Sequence, residues 1–133
     1  MSAENVKIAR AAVDAVAQMD LPHLLEITDP DCEWHSFLAE LGQDGVYTGH
    51  DGIRQYVSDL RDAWEVFEAE EKDIFAMNDV VLLLSELRYR GKASGVDLTS
   101  HVGHLAKFRE GRIVYMRAFR DQGEALEAAG LSE

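Results

Sequence analysis

Apolar residues recur along this chain in two rhythms, and the change from one to the other divides it near Asp73. Before that point the spacing is helical. Val6, Ala9, Val13, Val16 and Ala17 fall on one face of a first helix, with Ser2 as a candidate N-cap and an end near Gln18–Met19. Asp20 is placed to cap a second, short helix with Pro22 in its first turn and Leu24, Leu25 and Ile27 on its buried side. Thr28-Asp29-Pro30-Asp31 reads as a turn, and 32–38 reads as a strand with Cys32, Trp34, Ser36 and Leu38 on one side. The glycine-bearing stretch 40–49 reads as a loop. A third helix, opened by His50 or Asp51, carries Ile53, Tyr56, Val57, Leu60 and Trp64 at helical spacing.

Later the rhythm is that of strands. A charged strand over 67–77 reads as a sheet edge, and Asn78-Asp79 as a hairpin turn. Strands follow over 80–92, 96–109 and 112–120, separated by a loop at 91–95 and the turn Glu110-Gly111. Asp121 then caps a closing helix that runs to Ala129 and stops at Gly130. Nothing between the last strands is long enough to be a crossover helix. The order predicts an α+β fold: a curled mixed or antiparallel sheet, with the N-terminal helices packed on its concave face. Such a concavity is where small molecules bind.

Composition narrows this picture. The length of 133 residues and a hydrophobic fraction of 47% fit one domain over 1–133. A formal net charge of −12 argues against nucleic acid and anionic membrane surfaces as partners. One cysteine, Cys32, excludes an internal disulfide and fits a reducing compartment. No signal-like or membrane-spanning run is visible, so a cytoplasmic location is expected.

Alternation divides the residues of the last two long strands between two faces. Val102, His104, Ala106 and Phe108 share one, opposed by His101, Gly103, Leu105 and Lys107; Val114, Met116 and Ala118 oppose Tyr115, Arg117 and Phe119. His104, set among apolar neighbours, is the candidate catalytic residue, as a neutral imidazole able to act as base or hydrogen-bond donor. His101 and His104 point to opposite faces, so no metal site is assigned. His35 is expected outside with Glu33. Cys32 faces no assigned base and reads as packing.

The phrases Asp29-Pro30-Asp31-Cys32-Glu33-Trp34-His35, Tyr47-Thr48-Gly49-His50-Asp51-Gly52-Ile53-Arg54 and Phe108-Arg109-Glu110-Gly111-Arg112-Ile113-Val114, with Tyr115-Met116-Arg117-Ala118-Phe119, resemble the SnoaL-like branch of the nuclear-transport-factor-two-like superfamily. The superfamily also holds ketosteroid isomerases, limonene epoxide hydrolases and scytalone dehydratases. The resemblance implies a cone-shaped sheet, a central pocket and a homodimer. It implies that the face of His104, Met116 and Ala118 points into the cone, with Arg120 at the mouth.

The superfamily's acid/base residues do not carry over. The ketosteroid isomerase base falls at Ser36, its oxyanion tyrosine near Ala12 and its aspartic acid at His104; an epoxide hydrolase aspartate falls at Ala118. His35, His101 and His104 partly match the histidine inventory of scytalone dehydratases. The late acid/base aspartate of SnoaL-like cyclases has a counterpart only in Asp121, which reads as a cap.

The expectation is therefore a domain that holds a small apolar or aromatic ligand without a cofactor. Its chemistry is proton transfer of isomerase, cyclase, dehydratase or hydrolase type, and a non-catalytic ligand-binding or dimerisation module is the alternative. Expected ligand contacts are Trp34, Ser36, Tyr56, Val102, Met116, Ala118 and Arg120. Tyr47 is expected to gate the entrance, and the alternating Glu86, Arg88 and Arg90 to form an outer, salt-bridged face.

Overall fold

In the computed structural model, residues 2–37 and 45–131 are described. Helix α1 spans Ser2–Gln18 and α2 spans Leu21–Ile27. Strands β1 (Thr28–His35) and β2 (Val46–Thr48) precede helix α3 (Gly49–Ala63). Then come β3 (Trp64–Met77), β4 (Val80–Gly91), β5 (Asp97–Arg109), β6 (Arg112–Phe119) and helix α4 (Gln122–Ala128). Leu38 and residues 40–44 of the predicted 40–49 loop lie outside the described residues, as does the side chain of Ser2, while 46–48 of that loop form β2.

The strands form one open six-stranded sheet in the order β2-β1-β6-β5-β4-β3. Every neighbouring pair is antiparallel except β1 with β6, which run parallel. The charged strand β3 is an edge, as its pattern predicts. The main core lies between one sheet face and helices α1, α2 and α3, with Leu24, Ile53 and Val57 wholly buried there. Full burial of one such side chain stabilises the fold by roughly 1.5–3 kcal/mol. A smaller cluster of Leu82, Leu84, Leu105, Phe119 and Ala125 lies on the opposite face, under α4. Strands β4 and β5 are thus covered on both sides, which is why β4 opens on an unbroken apolar run, Val80 to Leu84, rather than an alternation.

Local signals set the element ends. Asp20 Oδ1 accepts from the His23 amide at 3.3 Å, and Asp121 Oδ1 from the Glu124 amide at 3.1 Å. After α4, Gly130 takes φ 78°, its amide donates to Glu127 O and that of Leu131 to Leu126 O, closing a Schellman motif. Glu110 and Gly111 both take positive φ in the two-residue link between β5 and β6, matching the twist of the strands.

Three expectations need correction. Residues 28–31 are not a turn but the start of β1, where Thr28 lies beside Ile113 of β6. The register shifts between Thr28 and Glu33, and Pro30, which has no N–H to give the ladder, sits in that irregular stretch. Trp64 is not helical: it opens β3 with φ −121° and ψ 133°. Its ring packs edge-on to Tyr89 with centroids 5.0 Å apart, so core burial rather than helical phase fixes its place. Tyr47 is not a gate. It lies in β2, buried, with its hydroxyl donating to Asp59 Oδ2 at 2.6 Å.

Candidate functional site

The concave face of the sheet and the helices above it enclose a mostly apolar hollow. Helix α1 supplies Ala12, Val13 and Val16, one stripe of its buried side. The floor comes from alternate residues of adjacent strands: Leu87 of β4, His104 of β5, Met116 and Ala118 of β6. Register explains the grouping, because His104 lies opposite both Leu83 and Ala118, and opposed residues share a face. Trp34, Ser36 and Phe37 enter from β1 and its end, Tyr56 from α3, and Phe67 and Ala69 from β3.

The hollow is narrow. Empty space between the lining atoms is about 340 Å³, solvent at the mouth included, but the centre of a water molecule fits in only about 10 Å³. That is room for about one water. Anything larger would fit only if side chains of this lining moved.

Among the described residues His104 is the one imidazole in the lining. Its Nδ1 is buried with no hydrogen-bond partner among the described residues. Loss of solvation pushes its pKa down to about 4, since burial disfavours the charged ring. At pH 7 roughly one molecule in a thousand then carries the extra proton. The ring is a neutral group with one donor and one acceptor nitrogen, and as a base it is weak until a negative charge forms beside it.

The other polar groups are partly committed. The Ser36 amide and hydroxyl both donate to Gly45 O at 2.9 Å, tying the end of β1 to the start of β2. The Ser36 oxygen retains only acceptor capacity toward a ligand. Tyr56 is buried, its ring 5.6 Å from that of Trp34, whose indole N–H donates to its hydroxyl. Burial raises the Tyr56 pKa well above the ordinary phenol value, so the hydroxyl keeps a proton to donate. Among the described residues no carboxylate lines the hollow.

Six of the eight residues singled out in the sequence therefore converge: Trp34, Ser36, Tyr56, His104, Met116 and Ala118. Val102 is wholly buried in the core on the same face but does not line the hollow, and Arg120 is exposed beyond the end of β6. Phe37, Phe67 and Leu87 line it without having been singled out. Leu87 and Tyr89 alternate with Glu86 and Arg88, a pattern that puts Leu87 on the side away from the charges.

The remaining candidates lie elsewhere. His101 points outward and meets Glu86 Oε2 at 3.1 Å, on a face where Glu86 also approaches Arg88 and where Arg90 bridges Glu65 and Asp97. His35 meets Glu33 on the outside. Cys32 is buried, and desolvation pushes its thiol up to about 11, the direction of an inert packing cysteine. Among the described residues no three of His, Cys, Asp and Glu gather to hold a metal ion, and no helix is long and apolar enough to cross a membrane.

Comparison with known proteins supplies a family. No curated protein sequence matches the chain. Among solved structures it is similar to an NTF2-like protein of unknown function from Burkholderia pseudomallei, at 21% identity and a TM-score of 0.78, over 93% of this chain and 95% of that one. An LEH-like epoxide hydrolase of M. tuberculosis is similar at 15% identity and a TM-score of 0.74, over 95% of this chain and 89% of that one. A Shewanella denitrificans protein named as a SnoaL-like polyketide cyclase is similar at 15% identity and a TM-score of 0.74, over 93% and 97%. At these identities the likeness is one of fold. The family described as SnoaL-like domain matches residues 9–116, and the chain belongs to that family.

Proposed function

We propose that this protein binds a small, largely apolar or aromatic molecule in the hollow, with the neutral imidazole of His104 as its main polar contact. The observation that carries this reading is the buried, unpartnered Nδ1 of His104 in an apolar lining. A buried polar atom without a partner costs about 1–3 kcal/mol, and a ligand group that met it would recover that cost. Tyr56 adds a hydroxyl donor and Ser36 an acceptor. The chemistry this set serves is cofactor-free proton transfer, of isomerase, cyclase, dehydratase or hydrolase type. A carbonyl or hydroxyl hydrogen-bonded by His104 would be polarised, and a developing oxyanion would raise the histidine's proton affinity.

A second reading rests on a different observation. No carboxylate faces the hollow among the described residues. A weak base with no acid partner also suits a non-catalytic ligand-binding module. Both readings are compatible with an isologous homodimer formed by the outer face of the sheet.

A screen of aromatic and terpenoid fragments against the native chain and His104→Ala tests the proposal. Binding that weakens about tenfold in His104→Ala, with shifts in the amide resonances around Ala118 and Met116, supports it. Fragments that bind with unchanged affinity to His104→Ala, or none that bind, contradict it. Conversion of a bound fragment favours the catalytic reading, and binding without turnover from pH 5 to pH 9 favours the module.

A further inference from the structure

A second recess adjoins the hollow. Val13 of α1 and Ala69 of β3 line both and form the wall between them. Beyond that wall the surroundings turn polar, with Arg10 and Asp14 from α1, Glu71 from β3 and Ser85 from β4. The recess is roomier than the hollow: the centre of a water molecule has about 100 Å³ there, against about 10 Å³ in the hollow. Ser85 is wholly buried, and its Oγ has no hydrogen-bond partner among the described residues. It lies opposite Glu71 on one side and Val102 on the other, two residues along the strand from the Leu83–His104 pair. Strand alternation therefore puts the Ser85 hydroxyl and the His104 imidazole on the same face of the sheet. Over the recess, Arg10 pairs with both carboxylate oxygens of Glu71, at 2.7 and 3.0 Å, joining α1 to β3.

We propose that this recess is a second subsite, which takes the neutral polar end of a ligand whose apolar part lies in the hollow. The inference rests on the reading of the hollow given above and names the substrate class: an elongated apolar or aromatic molecule ending in an uncharged hydroxyl or carbonyl. Ser85 both donates and accepts, so it meets either group. Arg10 is paired with Glu71, and among the described residues of the lining Asp14 is the charge with no ion pair. A terminal carboxylate or phosphate is disfavoured there. Among the described residues only Val13 and Ala69 line both cavities, and both side chains are short, so a ligand that spans them has little more than the Val13 methyls to displace.

A matched series tests this: 3-phenylpropan-1-ol, propylbenzene and 3-phenylpropanoate, titrated into the native chain and into Ser85→Ala while backbone amide resonances are followed. Removing an unpartnered buried hydroxyl leaves Ser85→Ala folded, with a Tm equal to or above that of the native chain. In the native chain the alcohol is expected to bind about fivefold more tightly than propylbenzene, shifting the Ser85 and His104 amides together, and that advantage is expected to vanish in Ser85→Ala. An alcohol with no advantage in the native chain, one that keeps its advantage in Ser85→Ala, or a 3-phenylpropanoate that binds as tightly overturns the subsite. If propylbenzene still shifts the His104 amide, the hollow survives that failure. If no probe moves His104, the reading of the hollow falls and the subsite with it.

Discussion

A histidine whose neighbours are a leucine, an alanine and a methionine stays uncharged because nothing near it replaces the water that would solvate an imidazolium. His104 is in that position, and the consequence reaches beyond any reaction. Its folded pKa of about 4 lies below the ordinary 6.5, so the native state disfavours the protonated ring. The sign follows: this contribution to stability is whole above pH 6.5, declines as the pH falls, and is gone below pH 4, a loss of roughly 3 kcal/mol. His104→Leu should lack this component. Denaturant melts of both chains at pH 7 and pH 4.5 are expected to differ, the native chain losing about 2 kcal/mol more than the variant. Equal losses would mean that the ring is solvated. Tyr56→Phe is a second check at this scale. It leaves the indole N–H of Trp34 without its acceptor and should cost about 1–2 kcal/mol in a urea melt, whether or not a ligand is present. A neutral substitution would show that the pair is not formed.

The elements are held together by contacts that tolerate little change in volume. Gly103 of β5 lies directly beneath α4, where an added Cβ would come within 2.5 Å of Ala125 Cβ. No side chain fits while α4 is docked, so Gly103→Ala is expected to cost about 1–3 kcal/mol in a chemical denaturation curve. Ala125→Gly in the same chain should restore part of that loss, and a double-mutant cycle with no coupling would contradict the contact. Element type was legible in the sequence wherever a rhythm was long. Strands β4, β5 and β6, the caps Asp20 and Asp121, and the stop at Gly130 are where periodicity and turn chemistry put them. The misses share a cause. Residues 28–31 carry turn-forming chemistry, but their partner β6 is distant in sequence, and tertiary pairing overrides local propensity there. Strand β2 is three residues long and has no rhythm to read. Trp64 continues a helical spacing by coincidence and is claimed by the aromatic packing of Tyr89 and Phe67. The faces of β5 and β6 were readable because a strand's period is two. Which residues of that face meet empty space was not, because that depends on how α1 closes over them; Val102 shares the face and is covered.

For the whole molecule, the same sheet has one side committed to the helices and the hollow, and another that carries α4 and a set of exposed ion pairs. Surface pairs of this kind add little to the stability of one chain, and they are free to set the register of a second copy. An isologous dimer built on that face predicts a species near twice 14.9 kDa in sedimentation, weakened by salt. A monomer at micromolar concentration would contradict it. The narrowness of the hollow is also a property of the whole fold, since α1 and β3 both line it and a ligand that entered would have to displace their side chains. Binding should therefore register in both elements. Everything proposed for the hollow depends on His104 being desolvated yet within reach of a ligand, and the direct test is a pH titration of its ring nitrogens by NMR in a ¹⁵N-histidine-labelled chain. The ring is expected to stay neutral down to about pH 4, and its resonances to move when an aromatic alcohol is added. A ring that titrates near 6.5 and ignores the ligand would contradict it.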